Sequence, residues 1–100
     1  MAVSKATRIS PVEHRQEKWW VYLLLCRDRR TYAGTALDVR ARFLKHVNGK
    51  ASKFTRANRP VTILGATAFP TKSAALKAEY ALKQLSRVEK LAWARAHPFE

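Results

Sequence analysis

The sequence predicts an α/β domain, an α+β sandwich in which a three-stranded, mainly antiparallel sheet is flanked by helices. Three observations lead there. Trp19 to Cys26 is apolar at every position, as a strand covered on both faces must be. The polar break Arg27-Asp28-Arg29-Arg30 separates it from Thr31-Tyr32-Ala33, a gap short enough for a hairpin. Capping signals then recur ahead of segments whose apolar residues fall at helical spacing.

Residues 1–18 are polar and mixed in charge, contain Pro11, and have no apolar period, so a flexible arm is expected ahead of a single domain over 19–97. Trp19–Cys26 is the first strand and Thr31–Ala33 the second, ended by Gly34. Thr35-Ala36-Leu37-Asp38 matches the [ST]-x-x-[DE] capping box, with Thr35 as the cap. The helix after it carries Leu37, Val39, Phe43, Leu44 and Val47, runs through about His46 and closes at Asn48-Gly49. Lys50 to Arg59 reads as a basic loop or short helix, and Pro60–Phe69 as the third strand. Ser73 is the expected cap of a long helix through Leu85. A second capping box, Ser86-Arg87-Val88-Glu89, opens a last helix that stops before Pro98.

Charge is the outstanding compositional feature. Twenty Lys and Arg against seven Asp and Glu leave +13, with a pI near 10.8. Self-repulsion of that size favours a polyanionic partner, and nucleic acid is the expected one. An anionic membrane is disfavoured because no long basic helix carries a strong apolar face. Cys26 is the lone cysteine, so no internal disulfide forms, and it reads as a small core residue. Met1–Lys18 has no apolar core of a secretory signal, and no run of eighteen apolar residues exists to span a membrane. A cytoplasmic protein is expected.

Few acids leave few metal ligands. Glu13 and Glu17 fall in the arm, Glu100 at the terminus, Asp28 in a turn, and Asp38 and Glu89 in capping boxes. Glu79 remains, amid Leu76, Ala78, Tyr80 and Leu82. Spacing alone favours the wet side of an amphipathic helix, with Lys83 four residues on as its surface partner. Tyr22 and Tyr32 lie on the paired strands, and Arg42 and His46 share one face of the first helix. Taken singly, each has an ordinary structural reading.

Together they carry a resemblance. Trp20-Val21-Tyr22 followed by Tyr32-Ala33-Gly34 resembles the paired motif that names the GIY-YIG nuclease superfamily. Arg42 with His46 one turn later, Gly49 through Arg56, and Glu79 through Ser86 resemble its small stand-alone bacterial branch, whose members are uncharacterised. The likeness runs from about Trp19 to Leu91. Trp20 replaces the usual Gly and Ala33 the usual branched aliphatic, changes in packing that leave both tyrosine hydroxyls in place.

The resemblance implies a metal-dependent nuclease that hydrolyses phosphodiester bonds with weak sequence preference. DNA is favoured over RNA as substrate, and a monomer over an oligomer. It implies that Glu79 holds one Mg²⁺ or Mn²⁺, that Arg42 braces developing charge, and that Tyr22 or Tyr32 activates or orients water with help from His46. Lys50, Lys53, Arg56 and Arg59 are the expected phosphate contacts, with Phe54 or Trp19 as a base-stacking ring. The alternatives are a non-catalytic nucleic-acid-binding module on the same fold and a basic protein that meets an acidic partner.

Overall fold

A computed structural model describes residues 18–99. The arm expected over 1–18 therefore lies, apart from Lys18, outside the described residues. Strands β1 (Trp19–Cys26), β2 (Thr31–Ala36) and β3 (Pro60–Phe69) form one antiparallel sheet in the order β2-β1-β3. Helices α1 (Val39–Val47) and α2 (Lys53–Ala57) lie between β2 and β3 in the chain, and α3 (Lys72–Lys83) and α4 (Arg87–Ala96) follow β3.

The central position of β1 explains its unbroken apolar run. Val21 and Leu23 bury against Ala33, Ala75, Leu82 and Ala94, so this face is covered by α3 and α4. Tyr22 and Leu24 bury on the other face with Ala36, Val39 and Ala66, under α1. Each fully buried side chain of this size stabilises the fold by roughly 1.5–3 kcal/mol. After α4 the chain rounds the β3 edge, where Ala66 N donates to His97 O at 2.8 Å. Phe99 thereby reaches the α1 face and meets Trp20 edge-on at 5.7 Å.

Two expected caps are displaced. Thr35 is not a cap, because β2 continues to Ala36 and Thr35 pairs with Val21 in the ladder. Asp38 caps α1 instead, its Oδ1 accepting from Ala41 N at 3.0 Å. Thr71, rather than Ser73, caps α3, its Oγ1 accepting from Ala74 N at 3.0 Å. That helix ends at Lys83, two residues before Leu85, because the chain is already turning into the next cap. There the expected capping box forms in full: Glu89 N donates to Ser86 Oγ at 3.2 Å and Ser86 N to Glu89 Oε1 at 2.8 Å. Asn48 closes α1 as expected, with Gly49 at φ +75° supplying the left-handed residue. Cys26 is a buried free thiol.

Candidate active site

Side chains alternate along β1 and β2, and that alternation builds the site. Tyr22 stands directly across the ladder from Gly34. A Cβ at Gly34 would lie 2.5 Å from Tyr22 Cζ and closer still to the hydroxyl. The missing side chain lets the Tyr22 ring lie across β2 toward the open edge of the sheet. Thr35, the next residue, points to the opposite face, where its hydroxyl donates to Glu79 Oε1 on α3. The edge is thus where the α1 face and the α3 face meet. A hollow of about 350 Å³ opens there, bordered by Tyr22, Tyr32, Gly34, Thr35, Arg42 and Glu79. Arg42 reaches it from α1 and donates from Nη1 to Thr35 O at 3.5 Å.

His46 belongs to the layer beneath. It is 1% exposed, with Nε2 2.9 Å from the Tyr22 hydroxyl and Nδ1 2.6 Å from Thr55 Oγ1. Thr55 is itself fully buried and lies 2.8 Å from Ser52 Oγ. The Tyr32 ring leans on the imidazole at a centroid distance of 4.9 Å. The chain Tyr22–His46–Thr55–Ser52 therefore links the hollow to the start of α2.

A family model of the GIY-YIG catalytic domain matches residues 18–92. The chain belongs to the GIY-YIG family. It is 46% identical over 80 residues to a UPF0213 protein of Xanthomonas axonopodis pv. citri, a match covering 80% of this chain and 78% of that one. A UPF0213 protein of Staphylococcus epidermidis is 45% identical over 75 residues, 75% of this chain and 92% of the relative. The solution NMR structure of the UPF0213 protein from Bacillus halodurans aligns with a TM-score of 0.50 and 38% identity. That alignment covers 79% of this chain and 84% of the other.

In this GIY-YIG protein the paired tyrosines, Arg42 and Glu79 border one hollow, and His46 lies beneath it against the Tyr22 hydroxyl. Burial, helped by Arg42, holds the His46 imidazole down at about 4, so it is neutral at physiological pH. Burial and the neighbouring Tyr32 push the Tyr22 hydroxyl above its ordinary range, and Arg42 offsets only part of that rise. Lys83 Nζ lies 2.8 Å from Glu79 Oε2, and this hydrogen bond raises the lysine further and keeps it charged. Glu79 therefore has the Lys83 partner expected from spacing alone, and it also borders the hollow.

The donor set around Glu79 fits one hard cation. Among the described residues no cluster of three or more His, Cys, Asp or Glu could hold a metal. A single carboxylate suits Mg²⁺ or Mn²⁺, which accept one protein oxygen and complete the shell from water and phosphate. Thr35 donates to one Glu79 oxygen and Lys83 to the other.

The basic segment divides. Lys50, Lys53 and Arg56 are exposed. Arg59 is a brace: Nη1 donates to Val47 O at 2.5 Å and Nε to Arg56 O at 2.9 Å, closing the ends of α1 and α2. Phe54 is engaged within the fold, with Tyr32 stacked on it at 5.9 Å and the Arg30 guanidinium 4.8 Å from its centroid. Trp19 borders the hollow, with Lys72 Nζ 5.2 Å from its ring centroid. The sequence offers Thr35 only as a helix cap, and the strand that continues past Gly34 turns its side chain to the face opposite Tyr22; Thr55 carries no local signal.

Proposed function

We propose that this GIY-YIG protein is a divalent-metal-dependent endonuclease that hydrolyses phosphodiester bonds of DNA with weak sequence preference. The observation that carries this reading is the meeting of Tyr22, Tyr32, Arg42 and Glu79 at one hollow on the sheet edge. Bound Mg²⁺ or Mn²⁺ would neutralise phosphoryl charge and acidify water. Glu79, oriented by Thr35, is the residue to hold it. Arg42 presents a fork of donors to the non-bridging phosphate oxygens.

Tyr22 cannot ionise by itself in so buried a place. Its hydroxyl is, however, in contact with a neutral imidazole. In our reading Tyr22 stays protonated, fixed by its contact with His46 Nε2 as Thr55 fixes Nδ1, and its hydroxyl positions the attacking water, which a bound cation would acidify so that the proton leaves to solvent. Tyr32 orients the same water from the adjacent rung. The domain acts as a monomer over 19–97, with Lys50, Lys53 and Arg56 steering the phosphate backbone. Among the described residues no helix is long and apolar enough to cross a membrane.

The test is incubation of the pure protein with labelled single- and double-stranded DNA and RNA in Mg²⁺, Mn²⁺ or EDTA. Cutting of DNA in metal and none in EDTA is the expected result. A second reading, a nucleic-acid-binding module that does not cut, is favoured by one observation: Lys83 already neutralises Glu79. Binding without cleavage under every metal condition would select it.

A further inference from the structure

The outer face of α3 carries a surface that the catalytic reading leaves unused. Leu76 and Tyr80 lie one turn apart on it, 46% and 69% exposed. With Lys72, Ser73 and Lys77 they line an open hollow that includes no acidic side chain. Lys72 and Leu76 also border the hollow that holds Tyr22, Arg42 and Glu79. The outer hollow is therefore a groove that adjoins the other, sharing Lys72 and Leu76 with it, and Trp19 lines the inner hollow with the Lys72 ammonium over its ring.

The mixture of groups selects the occupant. A free aromatic ring between lysines complements bases and phosphates together, which is the chemistry of single-strand platforms. A second copy of this chain would bring one +13 protein against another across a lysine-flanked face, with no acidic group in the hollow to relieve it. A base-paired duplex keeps its bases stacked on one another and has none to offer a ring.

We infer that this groove takes an unpaired stretch of nucleic acid beside the scissile phosphate, with one base stacked on Tyr80 and the backbone phosphates on Lys72 and Lys77. The inference rests on the reading of the Glu79 hollow as the cleavage site. It makes the substrate a strand with a single-stranded segment, such as a flap or a frayed end, and gives the lysines of α3 a binding role beside that of Lys50, Lys53 and Arg56.

The test is fluorescence anisotropy in EDTA, with a labelled single-stranded oligodeoxynucleotide and a blunt duplex of the same length. Tyr80→Ala should weaken single-strand binding about tenfold, the scale of one lost base stack. Duplex binding should stay within about twofold, since no duplex base reaches the ring. Tyr80→Phe should restore the wild-type affinity. Lys77→Ala should flatten the salt dependence of single-strand binding by about 0.7 in slope. Single-strand affinity unchanged in Tyr80→Ala, or lost equally on the duplex, overturns the inference. So does a wild type that sediments as a dimer and a Tyr80→Ala variant that is monomeric with unchanged DNA affinity, which assigns the face to a second copy. Because no metal is present, failure here leaves the cleavage reading intact. A protein that passes this test yet never cuts refutes only the cleavage reading.

Discussion

Tyr22 occupies the space that a side chain at Gly34 would need. The two are direct partners across the β1–β2 ladder, and the phenol ring lies over the glycine on its way to the sheet edge. The buried Tyr22–His46 contact and the opening at which Arg42 and Glu79 meet both depend on that vacancy.

Gly34→Ala should accordingly destabilise the fold by about 1–3 kcal/mol, the cost of overpacking a site that cannot yield. Tyr22 is 2% exposed and tied to His46, so its ring has nowhere to go. Urea unfolding measures the loss. Wild-type stability in the variant would show that the ring moves aside freely.

Stability should fall in mild acid because of His46. Its imidazole titrates at about 4 in the folded protein against 6.5 when free. Between those values the unfolded chain holds a proton that the folded one lacks, so the contribution is complete above pH 6.5 and is lost as pH falls toward 4. The slope approaches ~1.4 kcal/mol per pH unit. The groups facing the ring are Tyr22, Tyr32, Arg42 and Thr55, and none supplies a carboxylate to rescue the imidazolium. Unfolding free energies across pH 4–7 test this, and His46→Gln should remove that part of the slope.

Glu79→Gln separates enzyme from binder. It keeps size and most helix propensity while removing the charge that would hold the metal. Cleavage should collapse, and DNA binding in EDTA should stay equal or rise slightly as a repulsive carboxylate leaves. Loss of the half-exposed Lys83 pair should cost only a few tenths of a kcal/mol. Variant protein that cuts at the wild-type rate in Mg²⁺ would end the proposed mechanism. Arg42→Ala is its companion and should cost cleavage far more than binding.

Lys53 and Arg59 should part company although both are basic and six residues apart in sequence. Lys53→Ala should lower the salt slope of DNA binding by about one unit and leave the melting temperature unchanged. Arg59→Ala removes the donors that close α1 and α2 and should destabilise by about 1–3 kcal/mol. Thermal melts and salt titrations of the two variants, run side by side, check both statements.

Much of this architecture was written in local pattern. The unbroken apolar run of β1 required cover on both faces, and its central place in the sheet provides it. The Ser86–Glu89 box formed as read because both partners sit within one turn and need nothing from the rest of the fold. The paired tyrosine motif, with Arg42 and Glu79 at their spacings, carries the family likeness in the sequence alone.

Only the tertiary structure decided how those residues are used. Thr35 met the same local rule as Ser86, yet its hydroxyl went to Glu79, because strand pairing with Val21 carried β2 past it. Phe54 and Arg59 are candidates for nucleic acid in the sequence, and only the fold shows that Tyr32 stacks on the one and that the other donates to Val47 O. His46 became a buried, neutral partner of Tyr22 because α1 lays that residue against the sheet. The sequence by itself determined the elements, the charge and the family, since caps, period and composition act over a few residues. The hydrogen-bond partner of each polar side chain was decided by packing, since it depends on which distant groups the fold brings within about 3 Å.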